Sequence, residues 1–150
     1  MVTVKLNFRP FAASLKTKLE QLNNPEILLR PVALAMLPIV QRRIHVDGQA
    51  SDAGAIGSYK KSYLKLRESA KYNRQEGSKV VISLTRQLEN DYNVVATEKG
   101  YGWGFKNPLN QDKAEWVTEH FGKKIFPLTV DETKQAVGLI EEVANKILQS

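Results

Sequence analysis

Residues 47–88 read DGQASDAGAIGSYKKSYLKLRESAKYNRQEGSKVVISLTRQL, from Asp47 to Leu88. This stretch opens with three glycines among Ala, Ser and Asp, a composition that predicts a mobile loop over 47–58, with Ile56 its one large apolar residue. From Tyr59 the pattern becomes helical. Tyr59, Tyr63, Leu66 and Ala70 share one face, while Lys60, Lys61, Lys65, Arg67, Lys71 and Arg74 fill most of the others. Asn73 to Ser78 is loop-like again, so 47–78 forms a loop and a basic segment. Lys79 to Leu84 is apolar and β-branched enough to predict a strand.

Working downstream, Thr85 is placed to cap a short helical turn through Leu88 and Asn90. Tyr92 to Thr97 and Tyr101 to Phe105 predict two strands around a turn at Glu98-Lys99-Gly100. Alternation puts Tyr101, Trp103 and Phe105 on one face of the last strand, with Gly102 and Gly104 opposite, a face onto which another element can pack closely. Asp112 to Phe121 predicts a helix stopped by Gly122, and Ile125 to Leu128 an apolar return. Thr129 and Glu132 are spaced as a capping box for a final helix. Its stripe is Ala136, Val137, Ile140, Val143, Ala144 and Ile147.

Upstream, Val2, Val4, Leu6 and Phe8 alternate with polar residues, which predicts a strand or N-terminal arm over 1–10. Phe11, Leu15, Leu19 and Leu22 predict an amphipathic helix beginning near Pro10. Asn24 and Pro25 then supply an N-cap and first-turn proline for a second helix. Its stripe is Leu29, Val32, Met36, Val40 and Ile44, and Pro31 and Pro38 are expected to bend or split it. Arg42 and Arg43 lie in its last turn, where cations complement the helix dipole.

These elements predict one domain of α+β class. A small, mainly antiparallel sheet (79–84, 92–97 and 101–105, with 2–8 as a further strand) packs against two or three helices, with a long flexible loop or arm. At 150 residues the chain can bury a real core. It has no cysteine, which excludes disulfides and thiolate metal sites. No apolar run approaches the roughly 20 residues of a membrane span, and the N-terminus lacks a signal peptide's apolar centre, so the expectation is a cytoplasm. Residues 1–75 hold 13 Lys and Arg against 5 Asp and Glu, whereas 76–150 hold 9 against 11. Such asymmetry suits nucleic acid or complementary faces between copies of the chain.

His45 near Asp47 and His120 beside Glu119 fit no catalytic spacing, and no HExxH, nucleophile elbow or glycine-rich phosphate loop occurs. Surface or packing roles are the expectation for both histidines, and no catalytic residue, cofactor or metal is expected. For the six cations and Tyr59, Tyr63 and Tyr72 of the 59–74 segment, a core-facing tyrosine stripe with solvated lysines is favoured over phosphate and base contacts. The strand aromatics Tyr101, Trp103 and Phe105 are favoured as core or subunit contact over a stacking platform.

The order of these pieces resembles the virion-morphogenesis proteins of tailed bacteriophages, the tail-completion or neck family. In that family helices end in an Arg-rich turn, followed by an Asp-Gly loop, a hydrophobic residue and a basic helix rich in Tyr and Ser. The matching residues are Asp52-Ala53-Gly54-Ala55-Ile56-Gly57-Ser58-Tyr59, then Ser62-Tyr63 and Arg67. Lys79 to Leu88, KVVISLTRQL, is similar to the family's Lys-Val-x-Leu-x-x-Thr-Gly-x-Leu segment. Gly104-Phe105, Phe121-Gly122 and Ile125-Phe126-Pro127-Leu128-Thr129 are similar to its closing elements. The similarity covers roughly 35–148. Arg86 stands where the family has glycine, and Ile56 alone stands for its tryptophan.

The resemblance implies a non-enzymatic virion component at the joint between head connector and tail, acting as a ring of identical subunits. Its partners would be connector or portal-adaptor proteins and tail-tube or tail-terminator proteins, with DNA passing through the lumen and no membrane. It would be present in the host cytoplasm during assembly. The residues then expected at subunit or DNA contacts are Arg42, Arg43, Ile56, Tyr59, Lys60, Lys61, Tyr63, Lys65, Arg67, Lys71, Arg74, Tyr101, Trp103 and Phe105. The competing expectations are a basic nucleic-acid-binding module built on 59–74 and, further off, a small hydrolase or toxin around His45 or His120.

Overall fold

The computed structural model describes residues 9–83 and 85–150. The expected strand over 2–8 lies outside them. In chain order the helices are α1 (Arg9–Leu22), α2 (Pro25–Leu28), α3 (Arg30–His45), α4 (Lys61–Glu68) and α5 (Gln87–Asp91). Strands β1 (Tyr92–Thr97) and β2 (Gly100–Phe105) follow, then α6 (Pro108–Phe121) and α7 (Val130–Gln149). The class is α+β, as expected, with more helix than expected.

Local signals act where the sequence puts them. Asn24 caps α2 by accepting from the Glu26 amide at 3.1 Å. Pro31 sits in the first turn of α3, so the chain breaks at Leu29 instead of bending. Pro38 lies inside α3 on its exposed side, where the carbonyl left without its backbone donor can face solvent. Gly122 ends α6 in the left-handed region at φ +62°, the role of a helix C-cap glycine. Thr129 and Glu132 form a complete capping box at the start of α7, with bonds of 3.0 and 3.1 Å.

β1 and β2 form an antiparallel hairpin, with Trp103 opposite Val94 and Phe105 opposite Tyr92. The expected strand over 79–84 is a correction. Within 79–83 the chain makes only an isolated bridge, Lys79 to Ser58, and then turns through Ile82 at φ +45°. Val80, Val81 and Ile82 are all buried, whereas a strand in a two-layer fold would turn alternate side chains away. Core groups replace the sheet ladder. The Tyr59 hydroxyl accepts from the Val81 amide at 3.3 Å, and His45 Nδ1 lies 3.0 Å from the Ile82 carbonyl.

The 47–58 loop, expected to be mobile, is tied down. Its amides at Gln49, Ala50 and Ile56 donate to the carbonyls of Arg43, Gly54 and Gly48, and Ser51 donates to Lys124. Ala50 and Ile56 are buried. Gly48 makes this possible: its φ is +65°, and a Cβ there would run into the Val80 carbonyl oxygen. The loop thus contributes to the core, which gathers Val40 and Ile44 of α3 with Ala50, Ile56, Val80, Ile82, Tyr92 and Ile125.

Candidate functional site: a buried arginine clamp beside an open apolar groove

Two places gather the residues singled out by sequence. The first is Arg43, in the last turn of α3. Its Nε donates to Glu132 Oε1 at 2.6 Å. Nη1 donates to the carbonyls of Gln49 at 3.0 Å and Ile125 at 2.9 Å, and Nη2 to Pro127 at 3.0 Å. One guanidinium therefore joins four segments: α3, the 47–58 loop, the 125–128 return and the start of α7. Both side chains of the ion pair are about as buried as the core, 6% and 7% exposed. Glu132 spends its other oxygen on the Thr129 amide, so the buried charges are paired and hydrogen-bonded.

A second buried arginine organises the basic helix. Arg67 is 1% exposed, with its Cζ 4.3 Å from the Tyr59 ring centroid and 5.9 Å from that of Tyr63. Its Nη2 reaches Glu76 Oε2 at 3.4 Å, and Arg74 pairs with the same carboxylate. Desolvation alone would raise the Glu76 carboxyl. Its own backbone amide, a hydrogen bond from Arg74 and the charges of both arginines outweigh that, so it lies below the usual carboxylate range. Burial pushes the Tyr59 hydroxyl up.

The second place is a groove between α4 and the pair α5–α6, with a volume of about 610 Å³. Tyr59, Tyr63, Ile82, Leu88, Val117 and Phe121 give it apolar walls. Trp116, 61% exposed, stands at its rim, stacked on His120 at 4.9 Å. Lys60, Arg67, Arg86 and Lys113 are its charged lining, and no carboxylate lines it. Arg86 holds φ +62°, which places the chain into α5 from the left-handed region.

The sequence-singled residues divide between these environments. Arg43, Arg67 and Ile56 are buried within the fold, and Arg74 is tied to Glu76. Lys60, Lys61 and Lys65 are exposed with no carboxylate partner among the described residues, and Lys71 lies over Tyr72 at 5.1 Å. Arg42 is exposed and reaches Asp47 at 3.8 Å.

Trp103 donates from Nε1 to the Ala33 carbonyl at 3.0 Å, and Phe105 packs with Tyr92 and Phe126. Tyr101 donates to the Glu26 carboxylate, a bond that raises its hydroxyl pKa. Tyr101 and Trp103 thus reach α2 and α3 while Phe105 packs on β1 and the 125–128 return, and none of the three lines the groove. Among the described residues, a Cβ at Gly102 or Gly104 would meet Thr97 and Val95 of β1 and no helix within 4 Å.

No family model, curated protein or solved structure matches the chain.

His45 is buried, with an edge-on contact to Tyr92. Because a carbonyl only accepts, its Nδ1 carries the proton toward Ile82, leaving the Nε2 of the neutral ring without a partner among the described residues. Desolvation holds its pKa below 6.5, the hydrogen bond to Ile82 and the charge of Glu89 opposing. His120 belongs to the groove rim, away from that core position. Among the described residues no group of three or more His, Cys, Asp or Glu is placed to hold a metal ion, and no helix is long and apolar enough to cross a membrane.

Of the groove lining, sequence reasoning singled out only Tyr59, Lys60, Tyr63 and Arg67 as contact residues; Trp116 and Lys113 are among those it missed. An exposed tryptophan four residues before a histidine on one helix was the available signal, since i and i+4 side chains stack on one face.

Proposed function

We propose that this chain is a non-enzymatic structural component of a tailed-phage virion, a neck or tail-completion protein that works as a ring of identical subunits. The observation that carries the reading is the Arg43 clamp. The phage family's pattern orders an Arg-rich turn, an Asp-Gly loop and a closing segment along the chain. Here Arg43, Gln49 and the carbonyls of Ile125 and Pro127, far apart in sequence, meet on one guanidinium. Arg86 adds to it. It occupies the family's glycine position and holds φ +62°, the conformation that glycine enters at least cost.

A rigid interior with an open apolar groove and uncompensated lysines suits a subunit completed by its neighbours. Its partners in this reading are connector and tail proteins, with the lysines of α4 meeting DNA in the lumen or the acidic surface of another subunit. The test is mass by light scattering with negative-stain imaging, alone and with connector or tail-tube proteins. Rings, or subunits recruited into rings by those proteins, are the expected result. A monomer that ignores them overturns the reading.

A second reading, a nucleic-acid-binding module, is favoured by Lys60, Lys61 and Lys65 standing exposed without carboxylate partners. It requires steeply salt-dependent binding of duplex DNA by the monomer, weakened uniformly when those three are changed to Gln. Salt-insensitive or absent binding removes it.

A further inference from the structure

The sequence places Val137 in the inward stripe of α7, but the structure turns it outward. Val130, Val137 and Leu148 are 71%, 48% and 47% exposed. They recur at spacings that keep one helix face, with Ala144 between them; Lys134 and Glu141 lie on the same line one turn before and one turn after Val137, and Asp131 and Glu142 flank it. Lys18 of α1 borders its end, donating from Nζ to the Leu148 carbonyl at 3.0 Å, and leaves the three apolar side chains open. The groove has the opposite character: apolar walls, three cations at Lys60, Arg86 and Lys113 with no carboxylate ion-pair partner, and no lining carboxylate.

We infer that the outward stripe of α7 of one copy docks in the α4–α6 groove of the next. This rests on the reading of the chain as a ring-forming subunit and names the contact that would build the ring. Val137 and Leu148 fill apolar space beside Trp116 and Tyr63, and Glu141 meets the groove's cations near Lys113. The docking desolvates a carboxylate only where an opposite charge receives it.

Charge also selects the occupant. A further exposed apolar helix face, Leu15 and Leu19 of α1 (41% and 49% exposed), carries Lys16 and Lys18 against Glu20 and would bring an excess of cations to cations. Groove and stripe share no residue. A contact between them is heterologous, and repeating it head to tail leads to a closed ring or an open filament. A single-stranded nucleic acid fits less well. The Tyr59 and Tyr63 rings are occupied by each other and by Arg67, and one face of Trp116 by His120, leaving little aromatic surface for bases.

The absence of cysteine permits a direct test. Ser62→Cys places a thiol in the groove lining, and Val137→Cys places one on the stripe. Both positions are exposed, so neither change opens the core. Under mild oxidation the two single variants are expected to cross-link when mixed and not separately. The double variant is expected to give a ladder of covalent oligomers.

Glu141→Lys or Lys113→Glu alone is expected to weaken self-association about tenfold, and the two together to restore most of it. Oligomers that form without the ladder, and are indifferent to the charge swap, overturn this contact and leave the ring reading standing. A product that stops at a doubly linked dimer overturns the head-to-tail arrangement. A wild-type chain that stays monomeric with connector and tail proteins present overturns both. Loss of the ladder on adding single-stranded DNA, with protection of Trp116 fluorescence, assigns the groove to nucleic acid and also overturns the contact.

Discussion

Arg42 and Arg43 are neighbours in the chain and opposites in the fold. The Arg43 side chain is 6% exposed and closes four segments around one guanidinium, while that of Arg42 is 75% exposed and reaches only Asp47. The same contrast separates the clamp from the groove. At the clamp every charge is answered within the molecule. At the groove, apolar walls and three cations are left for something else to answer. Two cations of one type, rotated by one helical step of about 100°, therefore serve stability in one case and solvent or a partner in the other.

The comparison breaks hardest at Arg43. Arg43→Ala strands the Glu132 carboxylate and three carbonyls in the core, with an expected loss of about 3–5 kcal/mol in denaturant unfolding. Arg43→Met combined with Glu132→Gln should cost less than the sum of the two single changes, because no unpaired charge remains. If Arg43→Ala behaves like Arg42→Ala, for which under about 0.5 kcal/mol is expected, the clamp does not hold the fold. Next in size is Gly48→Ala, which forces a side chain into a left-handed residue and against the Val80 carbonyl. A loss of about 2 kcal/mol is expected by the same measurement.

A pH series sharpens the interior side further. His45 has a folded pKa below its unfolded value of 6.5, so the unfolded chain takes up the proton first. Its contribution is fully present above pH 6.5 and is lost as pH falls below that toward the lowered folded value. Stability between pH 5 and 6.5 should therefore fall more steeply in the wild type than in His45→Asn. Asn keeps a donor for the Ile82 carbonyl without titrating there. Equal slopes would remove His45 as the cause.

The smallest effect sharpens the groove side. Arg86→Gly is expected to stabilise by about 0.5–1 kcal/mol, relief of left-handed strain exceeding the added freedom of the unfolded chain. A loss of stability instead would show that the Arg86 side chain holds the groove wall.

Much of the local structure was legible. The Asn24 cap, the Gly122 stop and the Thr129–Glu132 box each work through residues within four positions, so composition and spacing suffice. The hairpin from Tyr92 to Phe105 was legible for the same reason. The 79–84 strand was misread because a run of β-branched residues looks alike whether it joins a sheet or crosses a core. At the candidate site, the tyrosines and lysines of α4 were found from their periodicity. Trp116 and Lys113 were not, since nothing local says that α6 lies across from α4.

By itself, then, the sequence determined the α+β class, the ends of most helices, the hairpin and the basic face of α4. These depend on short-range backbone geometry and capping. Only the tertiary structure decided that Arg43 meets Glu132 across 89 residues, that Ile56 and Ala50 join the core, and that Val137 faces outward. Each of those outcomes is set by which surfaces come together when the apolar faces are buried at once. A burial contest among all elements is not written in the spacing of any one of them.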